Sequence, residues 1–174
     1  MGAMEPWLRG TIHGLHPAAA HLLYTFEQAR EEIEQFCSML TVEEVWRNPH
    51  QGVASVGFQL RHMAGSIDRL TIYLRAEQLN PLQLAALRQE HEPGPSVEAL
   101  VECLEVECRK TEAVVRTIAP SSYEDRRVVG RKQAPTTVGG LIVHISEHTQ
   151  RHLGQAVLTA KLVRALPPLP SLAG

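Results

Sequence analysis

The chain has 174 residues, of which 44% are apolar, enough for one domain of roughly 100–200 residues with a core of its own. Seventeen Lys and Arg against nineteen Asp and Glu leave a formal charge of −2, without the basic excess of a nucleic-acid-binding surface. That balance, with an ordinary 21% of charged residues, also excludes a disordered chain.

Met1-Gly2-Ala3 ahead of Met4 reads as an expression-tag remnant. Residues 4–166 read as a single domain and residues 167–174 as a Pro-rich tail. The uncharged stretch Gly10 to Phe26 holds Pro17 and three His, so it is neither a membrane span nor a leader core. From Pro17 to Leu40 the apolar residues Leu22, Phe26, Ala29, Ile33, Cys37 and Leu40 keep the three-and-four spacing of one helix face. Thr41-Val42-Glu43-Glu44 is a capping box that restarts a short helix through Trp46.

After the breakers Pro49 and Gly52, Ser55 caps a second long helix to about Leu79, ahead of Pro81. Leu82 to Glu90 adds a helical turn or two before Pro93-Gly94-Pro95. Ser96 caps a third helix with Val97, Leu100, Leu104, Cys108, Thr111, Val115 and Ile118 on one face, stopped by Pro120. Ser121 to Pro135 is polar, with no strand pattern longer than Arg127 to Val129, and reads as a long connection. Thr136 or Thr137 caps a fourth helix to about Ala165, where Gly139-Gly140 leaves room for close packing. The expectation is an all-α four-helix bundle whose two longer connections permit an order other than up-down. The three cysteines, Cys37, Cys103 and Cys108, are an odd set that suits reduced core residues and a cytoplasmic protein.

The nine histidines matter through their placing. On a wheel of about 100° per residue, Leu141, Ile145, His148, His152, Gln155 and Thr159 fall within roughly 40° of one line. His148 and His152 therefore point into the bundle one turn apart, a spacing at which two imidazoles reach one metal ion. His144 lies about 60° off, at the edge of the stripe. On helix two, a polar stripe of Ser55, Gln59, His62, Ser66, Arg69 and Tyr73 runs beside the apolar arc, with His62 at its middle as the natural third ligand. Spacing alone does not separate this from the commoner case of hydrogen-bonded core imidazoles. Asp68, Arg69 and Glu147 are candidate partners for the ligating rings. His13, His16, His21, His50 and His91 read as surface or loop residues.

Leu60-Arg61-His62-Met63-Ala64-Gly65-Ser66-Ile67-Asp68-Arg69 resembles the helix-two signature of the DinB/YfiT-like superfamily. His144-Ile145-Ser146-Glu147-His148-Thr149-Gln150-Arg151-His152-Leu153-Gly154-Gln155 is similar to its helix-four signature, and Leu40 to Trp46 to the segment between helices one and two. One departure is Arg151, where members often carry a second His before the last. The resemblance implies a four-helix bundle with a divalent metal, zinc or nickel, on His62, His148 and His152. It implies a metal-dependent enzyme acting on a small molecule by hydrolysis or by S-transfer with a low-molecular-weight thiol, often as a homodimer. Tyr73 and His144 are the candidate acid–base residues beside the stripe. The alternative is a metal-binding or stress-response helical protein without turnover. No nucleic acid or membrane partner is expected.

Overall fold

The structure, a computed structural model, describes residues 4–167, so the expected tag remnant and nearly all of the expected Pro-rich tail lie outside the described residues. Six helices follow in order: α1 (Pro17–Cys37), α2 (Val42–Trp46), α3 (Val56–Leu74), α4 (Pro81–Arg88), α5 (Val97–Val115) and α6 (Val138–Ala165). Their starts are set by side chains that accept from free N–H groups of the first turn. Ser55 accepts from Phe58, Ser96 from Ala99 and Thr137 from Gly140, and Thr41 and Asn80 form complete capping boxes with Glu44 and Gln83.

The four long helices form a ring in the spatial order α1, α6, α3, α5. Consecutive α1 and α3 therefore sit across the bundle, as do α5 and α6. One diagonal crossing runs through α2 and the other through residues 116–137, while residues 75–96, which hold α4, join the adjacent α3 and α5. Each amphipathic face meets at the centre: Leu22, Phe26 and Ile33 from α1, Leu60, Met63 and Ile67 from α3, Leu100 and Leu104 from α5, and Leu141, Ile145 and Leu153 from α6 are all buried. Buried hydroxyls pair rather than stay unsatisfied, Thr25 with Ser146 at 2.6 Å and Thr71 with Thr111 at 2.7 Å.

Three features differ from the sequence reading, the first being that α3 ends at Leu74 rather than about Leu79, with Ala76 at φ +62° just beyond it. The stretch expected as a plain connection contains an antiparallel hairpin, β1 (Arg126–Val129) with β2 (Ala134–Thr137), in the register Arg126↔Thr137 to Val129↔Ala134. Its four-residue loop turns on Gly130 at φ +70° and Gln133 at +49°, a short-range solution that needs little hydrophobic patterning. Cys103 is exposed, whereas Cys37 and Cys108 are buried as expected, and burial pushes those two thiols up to about 11 and about 12. Gly140 does mark a close approach, since a Cβ there would lie 2.7 Å from Thr136 Oγ1. Among the described residues no helix is long and apolar enough to cross a membrane.

Candidate metal centre

α3 and α6 pack side by side, and their inward faces bring three imidazoles together. His62 lies at the middle of α3, and His148 and His152 lie one turn apart on α6. Ring centroids are 5.1 Å apart for His62–His148, 4.4 Å for His62–His152 and 4.4 Å for His148–His152. One ring nitrogen from each lies within 4.8 Å of the others, a spacing that a single ion could span. Leu60, Met63, Ile145 and Leu153 are buried beside these positions and fix the rotation of both helices.

The outer nitrogens are engaged. His62 Nδ1 lies 2.6 Å from Glu90 Oε2, and His152 Nδ1 lies 2.6 Å from Gln59 Oε1, while Gln59 Nε2 donates to Gln155 Oε1 at 3.0 Å. A carboxylate and an amide oxygen accept, so each Nδ1 carries a proton, which in the neutral ring leaves Nε2 its lone pair. Ser66 Oγ, 3.4 Å from His62 Nε2, is the nearby polar group on that side. Burial first, then the neighbouring imidazoles, pulls His148 and His152 down to about 4. Both are therefore neutral near pH 7, the form that ligates a metal. Three imidazoles with one ring nitrogen each within 4.8 Å, two of them held through Nδ1 by oxygen acceptors, fit the donor set of a three-imidazole site.

Around Glu90 the charges are arranged to keep it ionised. Burial opposes ionisation, but the His62 hydrogen bond and the Arg69 charge outweigh it and hold the carboxyl below the usual range. Arg69 Nη1 lies 2.8 Å from Glu90 Oε1. The contact is an ion pair without hydrogen-bond alignment, since that oxygen has no hydrogen-bond partner. Arg69 Nη2 donates to Ser66 Oγ at 3.2 Å. A cavity of about 760 Å³ lies on the far side of this pair, lined by Gly65, Arg69, Glu90 and Cys103, and none of the three imidazoles is in its wall.

The sequence-predicted residues fall as follows. His62, His148 and His152 come together. His144 is half-exposed at the rim, its centroid 5.6 Å from His148 and its Nδ1 held 2.8 Å from Glu147. Tyr73 does not join them: it lies in the core, eleven positions along α3 from His62, about 16 Å by helix rise. Of the expected partners, Arg69 reaches His62 through Glu90 and Ser66 and does not touch it, Asp68 accepts from Gln83 at 2.8 Å, and Glu147 serves His144. Glu90 was not singled out in the sequence, and nothing local marks it, because it reaches His62 from twenty-eight positions downstream.

The DinB superfamily sequence model matches residues 25–156. Among solved structures, a conserved protein from Enterococcus faecalis is similar, at 21% identity over 83% of this chain and 96% of that one, with a TM-score of 0.65. YfiT from Bacillus subtilis, described as a probable metal-dependent hydrolase with an unusual four-helix bundle topology, shares 12% identity over 87% of this chain and 91% of its own, with a TM-score of 0.63. At these identities the likeness shows the fold. No curated protein matches the chain.

Proposed function

The chain belongs to the DinB superfamily, and from that premise we propose that it is a metal-dependent hydrolase of a small molecule, with one divalent ion on His62, His148 and His152. The grouping of three imidazole nitrogens within 4.8 Å carries the reading, and the protonated Nδ1 of His62 and His152 supports it. Zinc or nickel suits imidazole donors. A divalent ion held by these three residues would supply the Lewis acidity that hydrolysis needs.

The chain's own residues do the rest. Gln59 and Glu90 orient the rings, and the packed faces of α3 and α6 keep their spacing. His144, with Nδ1 held by Glu147, leaves Nε2 free at the rim to take or give a proton. The fold likeness to YfiT favours hydrolysis over thiol S-transfer. A homodimer, also part of this proposal, is tested by light scattering in solution.

Elemental analysis of protein purified without added metal, followed by zinc and nickel titration of the chelated protein, is the direct test. About one ion per chain, lost in His62→Ala, is the expected result. Failure of both metals to bind, or equal binding by His62→Ala, overturns it. Turnover of activated esters or amides by the loaded protein supports hydrolysis, whereas turnover only with an added low-molecular-weight thiol would reassign the reaction as S-transfer.

A further inference from the structure

The segment Pro81–Glu92 is held to the bundle in an unusual way. α4 buries none of its residues, and between Pro81 and Glu92 the only buried residue is Glu90, at 4% exposure. Burying a carboxylate is costly unless it is paired, so a segment that buries nothing else is not there to enlarge the core. Every residue of the turn 89–92 engages α3. Arg61 Nη1 donates to Gln89 O at 2.8 Å and also to Glu92 O, His91 stacks on Phe58 at 4.1 Å, and Glu90 meets Arg69 and His62. Gln83 Nε2 ties α4 itself to Asp68.

Gly65 completes the arrangement. A Cβ there would lie 2.7 Å from Arg69 Nη1 and 2.8 Å from Glu90 Oε1, so the ion pair occupies the space that a side chain would take. The cavity behind Glu90 gives the carboxylate room to swing away. Its place is therefore fixed by Arg69 and the clamped turn, not by crowding.

We infer that Glu90 is a positioning residue for His62: the turn 89–92, clamped by Arg61 and Arg69, holds the carboxylate on Nδ1 so that Nε2 faces His148 and His152. The inference rests on the three-imidazole reading above, which it deepens. A plain latch between Glu90 and Arg69 would hold the turn equally well but would leave the His62 proton unaffected.

The test uses the full chain as wild type, Glu90→Ala, Glu90→Gln and Gly65→Ala. Long-range proton–nitrogen correlation of the imidazoles, in metal-free protein at alkaline pH, reads each tautomer. Competition with a chromophoric chelator reads zinc affinity. In wild type, His62 should carry its proton on Nδ1. In Glu90→Ala it should shift toward the Nε2–H form while His152, held by Gln59, does not. Zinc should bind about 10–100-fold more weakly, the usual cost of losing such a partner. Glu90→Gln keeps an acceptor and should restore the tautomer and part of the affinity. Should Glu90→Ala fail to fold, Gly65→Ala displaces the same pair by its methyl group, and the same two changes are expected. An unchanged His62 tautomer and zinc affinity in Glu90→Ala, or in Gly65→Ala if the former does not fold, overturns the inference, whatever the melting temperature does. If wild type takes neither zinc nor nickel, the proposed function fails, and the tautomer in metal-free protein still decides the role of Glu90.

Discussion

Acidifying the metal-free protein from about pH 7 to about pH 5 should destabilise it through His148 and His152. Burial and the neighbouring positive charges hold both rings at about 4 against an ordinary 6.5. The unfolded chain takes up these protons near 6.5, and the folded protein only near 4. Across that window the unfolded state binds more protons, so stability falls as pH falls. Taken separately, each ring would lose roughly 2 kcal/mol between the two pH values. Partial solvation and the mutual repulsion shared by the two rings reduce the sum to about 2 kcal/mol for the pair. Glu90 and Glu147, both held below the ordinary carboxylate range, add their losses at lower pH. Urea unfolding of chelated wild type and of a His148→Gln/His152→Gln double variant, at both pH values, isolates the effect. The double variant should lose about 2 kcal/mol less than wild type on acidification. Equal losses would show that these imidazoles titrate as they do in the unfolded chain, and the argument for neutral, ligand-ready rings would fall.

His148→Ala, His152→Ala and His62→Ala should each weaken zinc binding by more than the ~10–100-fold expected for an outer partner, whereas His144→Ala should keep near-full stoichiometry by elemental analysis. Chelation should leave the helical circular dichroism intact while lowering the melting temperature, because the core does not include the trio and the ion acts by ligand linkage; loss of helicity at room temperature would make the ion a structural staple. Gly57→Ala should destabilise the fold by about 1–3 kcal/mol in thermal or urea unfolding, because its Cβ would lie 2.7 Å from the Trp46 ring. That ring is pinned by its hydrogen bond to Pro95 O and by Arg61 over its face, and it outweighs the ~1 kcal/mol gained in helix propensity.

Periodicity exposed the helices because each long one has a single buried face. Val56, Leu60, Met63 and Ile67 recur at three and four positions and are buried as that spacing requires. The same wheel brought His148 and His152 to the inner side of α6, but the buried face centres on Ile142, Ile145, Thr149, Leu153 and Ala156 and leaves both rings half-buried at its edge, with Gln155 exposed. The polar stripe of α3 was legible as well, and Gln59, Ser66 and Arg69 all turn out to be buried. The hairpin was not visible, because four-residue strands with an exposed-to-intermediate pattern bury too little to leave a period. Cys103 was misplaced because residue type, not its position off the α5 face, suggested burial. Glu90 was invisible for a stronger reason. It sits in a polar turn among Gln89, His91 and Glu92, and only the fold reveals that Arg61 and Arg69 draw it inward.

The two halves of the site therefore rest on different foundations. The spacing of the three imidazoles is set by side chains of the core, Leu60 and Met63 on α3 and Ile145 and Leu153 on α6, which are fully buried or nearly so. Moving a ring would require moving a helix, and interiors at crystal-like density resist that. The orientation of His152 is built on the same frame, because Gln59 belongs to α3. The orientation of His62 depends instead on a turn attached to α3 by an ion pair, two hydrogen bonds from Arg61 and one aromatic stack. Polar attachments of this kind open locally at far lower free energy than a packed helix. Of the three proposed ligands, His62 is therefore the one whose hold on a metal can change without disturbing the bundle.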